Sequence, residues 1–459
     1  LEKLVVRQMK IPVPPPKFDV LAKQAGQDKQ YQSIIDANIK MSDYKGRYHH
    51  WDILRHLDPP NDLTNEQWWL ATKLARKAAY QPLPRLLNKS HVPFVFAVTE
   101  KMGAILHGID RHIIGATYVG SSALDTSAKQ AYLINSLIDE AITSSQLEGA
   151  STTRKVAKQM LREGRKPRDY SEQMICNNFQ AMQFIHEVKE EALTPALIFE
   201  IHRIVTQNTL DDEAAAGAFR KPSDEIHVVD VGSSAILHTP PGAEELPERL
   251  KCLCQFANES SEVPFIHPML KGIFVHFMLA YDHPFVDGNG RTARALFYWM
   301  MAKQQYHLME YISISKIIKK APAQYAKAFL YTETDDSDLT YFIHHQMDVV
   351  SQALEALCLY LDHEAEATDQ LDRLLKQNDK LHNALNHRQL LLIKHALQHP
   401  AADYKIEAHR QAHNITYETA RTDLVKLFDL GWLDKRQVGN AFVFTAVKDL
   451  DEKIGGRLE

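Results

Sequence analysis

The stretch that most constrains this chain is ten residues long and uncharged: GIFVHFMLAY, Gly272–Tyr281. It is about half the ~20 residues of a membrane span and contains a His, so it reads as a helix buried on all sides. Helical spacing covers Pro268–Tyr281 and resumes over Arg291–Gln305. Between them lies HPFVDGNGRTAR, His283–Arg294, with a His, an Asp, an Asn flanked by two Gly, and two Arg three residues apart. Each feature alone has a commonplace reading: a loop, a helix end, a solvated face. Together, between two apolar helices, they call for one chemical explanation.

The chain is long enough for two to four domains at 459 residues, and 45% hydrophobic with 24% charged residues is ordinary for a globular protein. A net charge of −5 supplies no overall basic field for nucleic acid. Four cysteines (Cys176, Cys252, Cys254, Cys358) are too few for a disulfide framework, and Cys252-x-Cys254 lacks zinc spacing. Reduced thiols of a cytoplasmic protein are expected, with no membrane association. The opening LEKLVVRQMKIPVPPP has no secretory pattern and no initiator Met, as in a trimmed chain.

Residues 1–20 are Pro-rich and expected to lie extended over another surface. Residues 61–147 read as mostly helical. The helix at 131–149 carries apolar pairs at Leu133/Ile134, Leu137/Ile138 and Ala141/Ile142, and Gly149 stops it. Thr152 or Thr153 caps the next helix, and two amphipathic helices follow, the second with Pro195 near its start. The β-branched residues around VGSS predict a hairpin, Ile226–Asp230 and Ala235–Thr239, ended by Pro240-Pro241. Helical spacing covers Leu246–Asn258, and a long polar-faced helix, or pair, runs from about Asp338 to Leu385. Three helices and a two-stranded wing close the chain, the order of a winged helix-turn-helix.

The Gly288-Asn289-Gly290 turn, followed by the first turn of a helix, is an anion cradle suited to phosphate oxygens. Arg291 and Arg294 share one helix face and are placed to clamp further phosphate oxygens. Asp287 is placed to hold a divalent ion against the same phosphates. His283 is the group here that takes a proton near neutral pH. The chemistry inferred is attack of a hydroxyl on a nucleotide phosphate, with His283 as base. No Walker lysine is present, which excludes a P-loop NTPase.

These residues resemble the HPFx(D/E)GNGRxxR signature of the Fic family, whose members mostly transfer AMP from ATP to protein hydroxyls. Every position is filled. The resemblance implies a mainly α fold: a Fic-type helical bundle with a β-hairpin flap, here with the C-terminal winged helix-turn-helix added. It implies His283 as base, Phe285 as an apolar anchor, Asp287 as the ligand of Mg²⁺ (or Mn²⁺), and Gly288, Asn289 and Gly290 as the anion hole. Arg291 would reach the α- and β-phosphates and Arg294 the γ-phosphate. Gly288 and Arg294 favour adenylyl over phosphoryl transfer. AGAFRKPSDEIHVV…ILHTPP resembles the family's segment containing the flap, which grips a target protein's backbone by strand addition. Tyr325 is the candidate stacking residue for adenine. The resemblance spans about residues 125–345.

Ser144 to Gly149 resembles the family's regulatory motif [S/T]xxxE[G/N]. A carboxylate at a helix C-terminus faces the negative end of the dipole, so Glu148 is an exposed helix-end acid or has a cation partner. In the family the matching Glu pairs with the second signature Arg, here Arg294, and blocks the γ-phosphate site. The expected domains are 1–125 (extended and helical), 126–350 (catalytic, with its inhibitory helix), 351–386 (helical linker) and 387–448 (winged helix-like). Residues 401–447 hold six Lys/Arg against six Asp/Glu, so docking to protein, or a homodimer contact, is favoured over DNA binding. Tyr417, Arg421, Thr422, Lys426, Lys435 and Arg436 would be its exposed face, and His382, His387, His395, His399, His409 and His413 read as surface. The leading function is a protein adenylyltransferase acting on Ser, Thr or Tyr of a target protein, self-inhibited by Glu148. The alternatives are a de-adenylylase or bifunctional enzyme on the same site, and a nucleotide-sensing winged-helix regulator without catalysis.

Overall fold

A computed structural model describes residues 3–4, 9–27, 31–119, 126–230, 233–260, 264–376, 385–398, 402–413, 415–438 and 441–455. The chain divides into two compact units, Leu1–Glu355 and Ala356–Glu459. Residues 377–384 of the expected linker lie outside the described residues.

The first unit is mainly helical. Short N-terminal helices α1 (Phe18–Gln27), α2 (Tyr31–Asp36) and α3 (Trp51–Leu54) precede α4 (Asn65–Ala79), whose cap Thr64 exchanges hydrogen bonds with Gln67. The expected helical run then breaks. Strands β2 (Gln81–Leu87) and β3 (Pro93–Phe96) form an antiparallel hairpin. Pro82 and Pro84 explain the difference, because proline removes the N–H that a helix interior needs. The extended N-terminal stretch also ends earlier than expected, at the start of α1. Before it, β1 (Lys3–Leu4) is a strand, and Met9 packs on Ala326 and Leu330.

After α5 (Glu100–Val119) comes α6 (Thr126–Leu147), then α7 (Arg154–Glu163), α8 (Tyr170–Glu187) and α9 (Pro195–Thr206). Thr153 stands at the α7 N-cap in extended conformation, without a side-chain capping bond. Asp169 and Thr194 do cap α8 and α9, each accepting an N–H three residues on. Helix α10 (Leu246–Asn258) leads to the central pair, α11 (Pro268–Asp282) and α12 (Asn289–Lys303). Met269–Leu279 and Arg291–Ala302 are buried throughout, as a mainly apolar helix inside a bundle requires. Helices α6, α8 and α9 pack around α12.

The predicted hairpin is present but shorter: β4 (Val228–Asp230) pairs antiparallel with β5 (Ile236–His238). Asp230, fully buried, accepts the Ser233 N–H at 3.0 Å and so closes the turn from within. Val231 and Gly232 of that turn lie outside the described residues. Strand β1 adds in parallel to the outer edge of β4, Lys3 opposite Val229.

Helices α13 (Ile314–Ile318), α14 (Pro322–Thr334) and α15 (Thr340–Lys376) follow. A buried polar cluster fastens α4 to the start of α15: Lys73 Nζ pairs with Asp335 at 2.7 Å, Arg76 donates to the Tyr341 hydroxyl at 2.6 Å, and Tyr48 donates to Asp338 at 2.6 Å.

In the second unit, helices His387–Gln398, Ile406–His413 and Tyr417–Asp429 surround a core that includes Leu392, Ile393, Leu424, Leu427 and Trp432. Strands Leu433–Val438 and Ala441–Ala446 pair antiparallel, and Asp403–Lys405 adds to the latter. Tyr417, Arg421, Thr422, Lys426, Lys435 and Arg436 are exposed. His409 departs from the surface reading. It is buried, 3.2 Å from Asp423, because Arg388 and Asn386 converge on the same carboxylate and build a polar core there. His382 and His399 lie outside the described residues.

Candidate active site

The α11–α12 loop makes a sharp reversal. His283 caps α11 with φ 48°, the left-handed region that non-glycine residues rarely adopt, and its N–H bonds the Leu279 carbonyl at 3.0 Å. Pro284 disfavours the helical alternative at that residue. Its imidazole Nδ1 lies 3.2 Å from the Ala280 carbonyl, which accepts only, so Nδ1 carries the proton and Nε2 is the basic nitrogen. Arg220 fixes the reversal from outside: its Nε donates to the His283 carbonyl at 2.8 Å, and its N–H to the Pro284 carbonyl at 2.9 Å.

Phe285 is fully buried and stacks face to face on His202, ring centroids 3.7 Å apart. His202 donates from Nε2 to the Asp287 carbonyl at 2.8 Å and accepts the Gly217 N–H on Nδ1 at 2.9 Å. Asn289 braces the loop, with its amide exchanging two 2.9 Å bonds with the Phe285 backbone. That side chain is committed to the loop, so any anion contact from Asn289 would be through its main chain. Gly288 has φ 80°, and a Cβ there would meet Thr206 at 2.7 Å.

The two signature arginines diverge. Arg291 turns inward, donating to the Val205 carbonyl at the end of α9 at 3.1 Å and to Asp287 at 3.2 Å. Arg294 points at α6. Its Nε donates to Ser144 Oγ at 2.8 Å, its Nη2 to the Ser144 carbonyl at 3.1 Å and to Glu148 at 2.7 Å. Burial alone would depress the guanidinium's pKa, but the Glu148 carboxylate leads the charges that hold it above its usual value. Arg294 Nη1 is buried with no hydrogen-bond partner among the described residues. Glu148 follows directly on α6, and Gly149 has φ 100°. A Cβ on Gly290 would collide with the Glu148 carboxylate, so that carboxylate lies across the first turn of α12, the anion-attracting end of the helix.

His283, Glu148, Gly290, Arg294 and Tyr325 line one cavity. Val228 and Leu237 of the hairpin, with Ala326, Phe329 and Leu330 of α14, give it an apolar wall. Tyr325 is buried, edge-on to Phe329, and its hydroxyl lies 2.8 Å from His276 Nε2. Burial, with the Arg294 charge adding, pushes the His276 ring down to about 3, so it is neutral. Glu333 also lines the cavity: one oxygen meets His238 Nδ1 at 2.8 Å, and the other is buried without a partner among the described residues.

Sequence reasoning gave no role to His202, Arg220, His238 or Glu333. A His on the buried face of an amphipathic helix was the one signal for His202, and it fits an ordinary core histidine equally well. As for a metal, the described residues hold no group of three His, Cys, Asp or Glu that would cage one. The Asp287 carboxylate is partly exposed and engages Arg291 through one oxygen. That donor set fits Mg²⁺, which commonly takes one carboxylate and completes its shell with phosphates and water.

Residues 192–301, from before α9 to the end of α12, match the model of the Fic/DOC family. These residues form a Fic domain. A protein adenylyltransferase Fic of Drosophila virilis is 25% identical over 299 residues, 65% of this chain and 56% of that protein. The protein adenylyltransferase Fic of Nematostella vectensis is 29% identical over 180 residues, 39% of each chain. The chain thus spans about half the length, or less, of these curated relatives. In fold it is similar to the crystal structure of a Fic family protein from Desulfovibrio desulfuricans, with a TM-score of 0.51 at 16% identity, covering 77% of this chain and 97% of that one. The Fic domain match contains His283, Asp287, Arg291 and Arg294, whereas Glu148 and Tyr325 fall outside it.

Proposed function

We propose that this chain is a protein adenylyltransferase that moves AMP from ATP to a Ser, Thr or Tyr hydroxyl of a target protein and is restrained by its own Glu148. The observation that carries the reading is the convergence of the His283 imidazole, the Gly290 turn and Arg294 on one cavity with an apolar wall. Adenine would lie against Tyr325 and Phe329, and the second oxygen of Glu333 offers an acceptor for its exocyclic amine. The phosphates would lie along the first turn of α12 toward Arg294. A divalent ion at Asp287 would offset phosphate charge.

The target hydroxyl attacks the α-phosphorus and its proton passes to His283 Nε2. The bond to the β-phosphate oxygen breaks, and pyrophosphate leaves. The Ala280 carbonyl holds the tautomer this requires, and Arg220 holds the backbone turn that aims the ring. With Glu148 in place, Arg294 is engaged and the end of the phosphate path is occupied by a like charge, so bound ATP is misaligned. Glu148 also shares the cavity with His283, which supports a second reading, removal of AMP by a water that this carboxylate holds.

No helix among the described residues is long and apolar enough to cross a membrane. In the second unit, Arg421 and Arg436 pair with Glu418 and Asp403, which favours docking to protein or to a second copy over DNA, as does the balanced charge. The test uses ATP labelled on the α- or the γ-phosphate, a mixture of soluble proteins, and the chain with or without Glu148→Gly. Protein-bound α-label that is lost with His283→Ala is the expected result. Retained γ-label would mean phosphoryl transfer, and nucleotide binding with neither label retained would mean a sensor.

A further inference from the structure

Helix α6 meets α12 through a ladder of polar rungs spaced four residues apart on both helices. Glu148 meets Arg294 and lies against Gly290, Ser144 meets Arg294, and Glu140 meets Tyr298. A four-residue step keeps each set on one helix face. The last rung is the most elaborate. Glu140 is 1% exposed, and its Oε2 accepts the Tyr298 hydroxyl at 3.0 Å, the Ser313 hydroxyl at 2.8 Å and the Ser315 N–H at 3.1 Å. Its Oε1 accepts the Ser315 hydroxyl. All four donors are neutral groups, so the buried Glu140 side chain is held by directional hydrogen bonds whose geometry admits one position.

The apolar face of α6 does different work. Ile138 and Ile142 pack with Ala157 and Met160 of α7 and with Met174 and Ile175 of α8. Apolar packing there holds α6 down but is non-directional, so it does not set how far along α12 the helix sits. We infer that Glu140 is the positioning residue that sets this register and thereby brings Glu148 onto Arg294. The inference rests on the self-inhibition reading above. It also locates the moving part. Glu148 lies just beyond the end of α6, and Gly149 has open space around its Cα. The lock therefore opens by departure of the 148–149 end, while Glu140 and Ser144 keep α6 and Arg294 in place.

The test compares Glu140→Ala and the milder Ser315→Ala, each alone and combined with Glu148→Gly. The readouts are AMP transfer from α-labelled ATP and amide hydrogen exchange over residues 144–150. Glu140→Ala is expected to raise transfer about five-fold, the factor for loosening the latch by one net hydrogen bond. Ser315→Ala should act in the same direction and more weakly, and it carries the test if Glu140→Ala fails to fold. Exchange over 144–150 should quicken in both, and neither should raise transfer once Glu148 is Gly. A residue of structural importance alone would lower transfer in both backgrounds. Unchanged exchange, or an equal rise in both backgrounds, overturns the inference. If Glu148→Gly transfers no more AMP than the native chain, the self-inhibition reading fails, and exchange at 144–150 still decides whether Glu140 sets the register.

Discussion

Arg294 and Glu148 are joined at 2.7 Å with side chains 1% and 4% exposed, so their charges meet almost out of water. Removing one member of such a pair costs more than the pair contributes, because the other is left uncompensated. Arg294→Ala also strips both bonds to Ser144, whereas Glu148→Gln keeps them. Urea unfolding should show Arg294→Ala destabilised by about 3–5 kcal/mol, with Glu148→Gln losing clearly less. Equal losses would mean that Ser144 adds nothing to the hold on Arg294.

His202 should matter to activity although it lines no part of the cavity. His202→Leu removes the bonds to the Asp287 carbonyl and the Gly217 N–H and leaves both half-buried groups without that partner. Each such group costs about 1–3 kcal/mol. Melting should show that loss, and AMP transfer should fall by about ten-fold or more through a loosened loop. A variant that is destabilised but transfers AMP at the native rate would limit His202 to stability.

Four histidines, His50 and His276 buried and His344 and His345 half-buried, predict loss of stability in acid. Burial pushes His50 and His345 down to about 4, and His276 and His344 to about 3. In the unfolded chain these rings take protons below about pH 6.5, and in the folded one only as pH falls to about 4 or 3. Their contribution is therefore full above pH 6.5 and is lost as pH falls toward 3. Each adds a slope of up to about 1.4 kcal/mol per pH unit within that window. Denaturant unfolding at pH 7, 6 and 5 checks the sign, and His344→Gln should flatten the curve.

The sequence made the α11–α12 loop legible because nearly all of its chemistry is local. His283 to Arg294 sit within a few turns of one another, so type and spacing suffice to place a His beside a glycine turn that opens a helix. The hairpin was legible for the same reason, through β-branched residues around a turn. Distance in sequence hid the rest. Arg220 holds the carbonyl of a residue 63 positions away and His202 one 85 away, and nothing local in either segment points to that loop. Glu148 needed the family motif, because an acid at a helix end looks the same whether it is solvated or paired. Strands β2 and β3 were missed where apolar content outweighed the two prolines that forbid a helix.

The fastening of α4 gives a prediction away from the site. Lys73 and Asp335 are both 2% exposed, and Lys73→Met would leave the aspartate buried beside Asp338. A loss of about 3–5 kcal/mol is expected, with AMP transfer by the remaining folded protein unchanged. Little change in stability would mean that Arg76 compensates Asp335 alone.

The most direct measurement is protein-bound α-label from ATP for the native chain, Glu148→Gly, and Glu148→Gly combined with Arg294→Ala, at equal folded concentration. Glu148→Gly should exceed the native chain by on the order of ten-fold or more, because Arg294 is released to align the γ-phosphate. The double variant should be inactive, since the released group is then missing. Equal labelling by the native chain and Glu148→Gly, or full labelling by the double variant, would contradict restraint by Glu148 acting through Arg294.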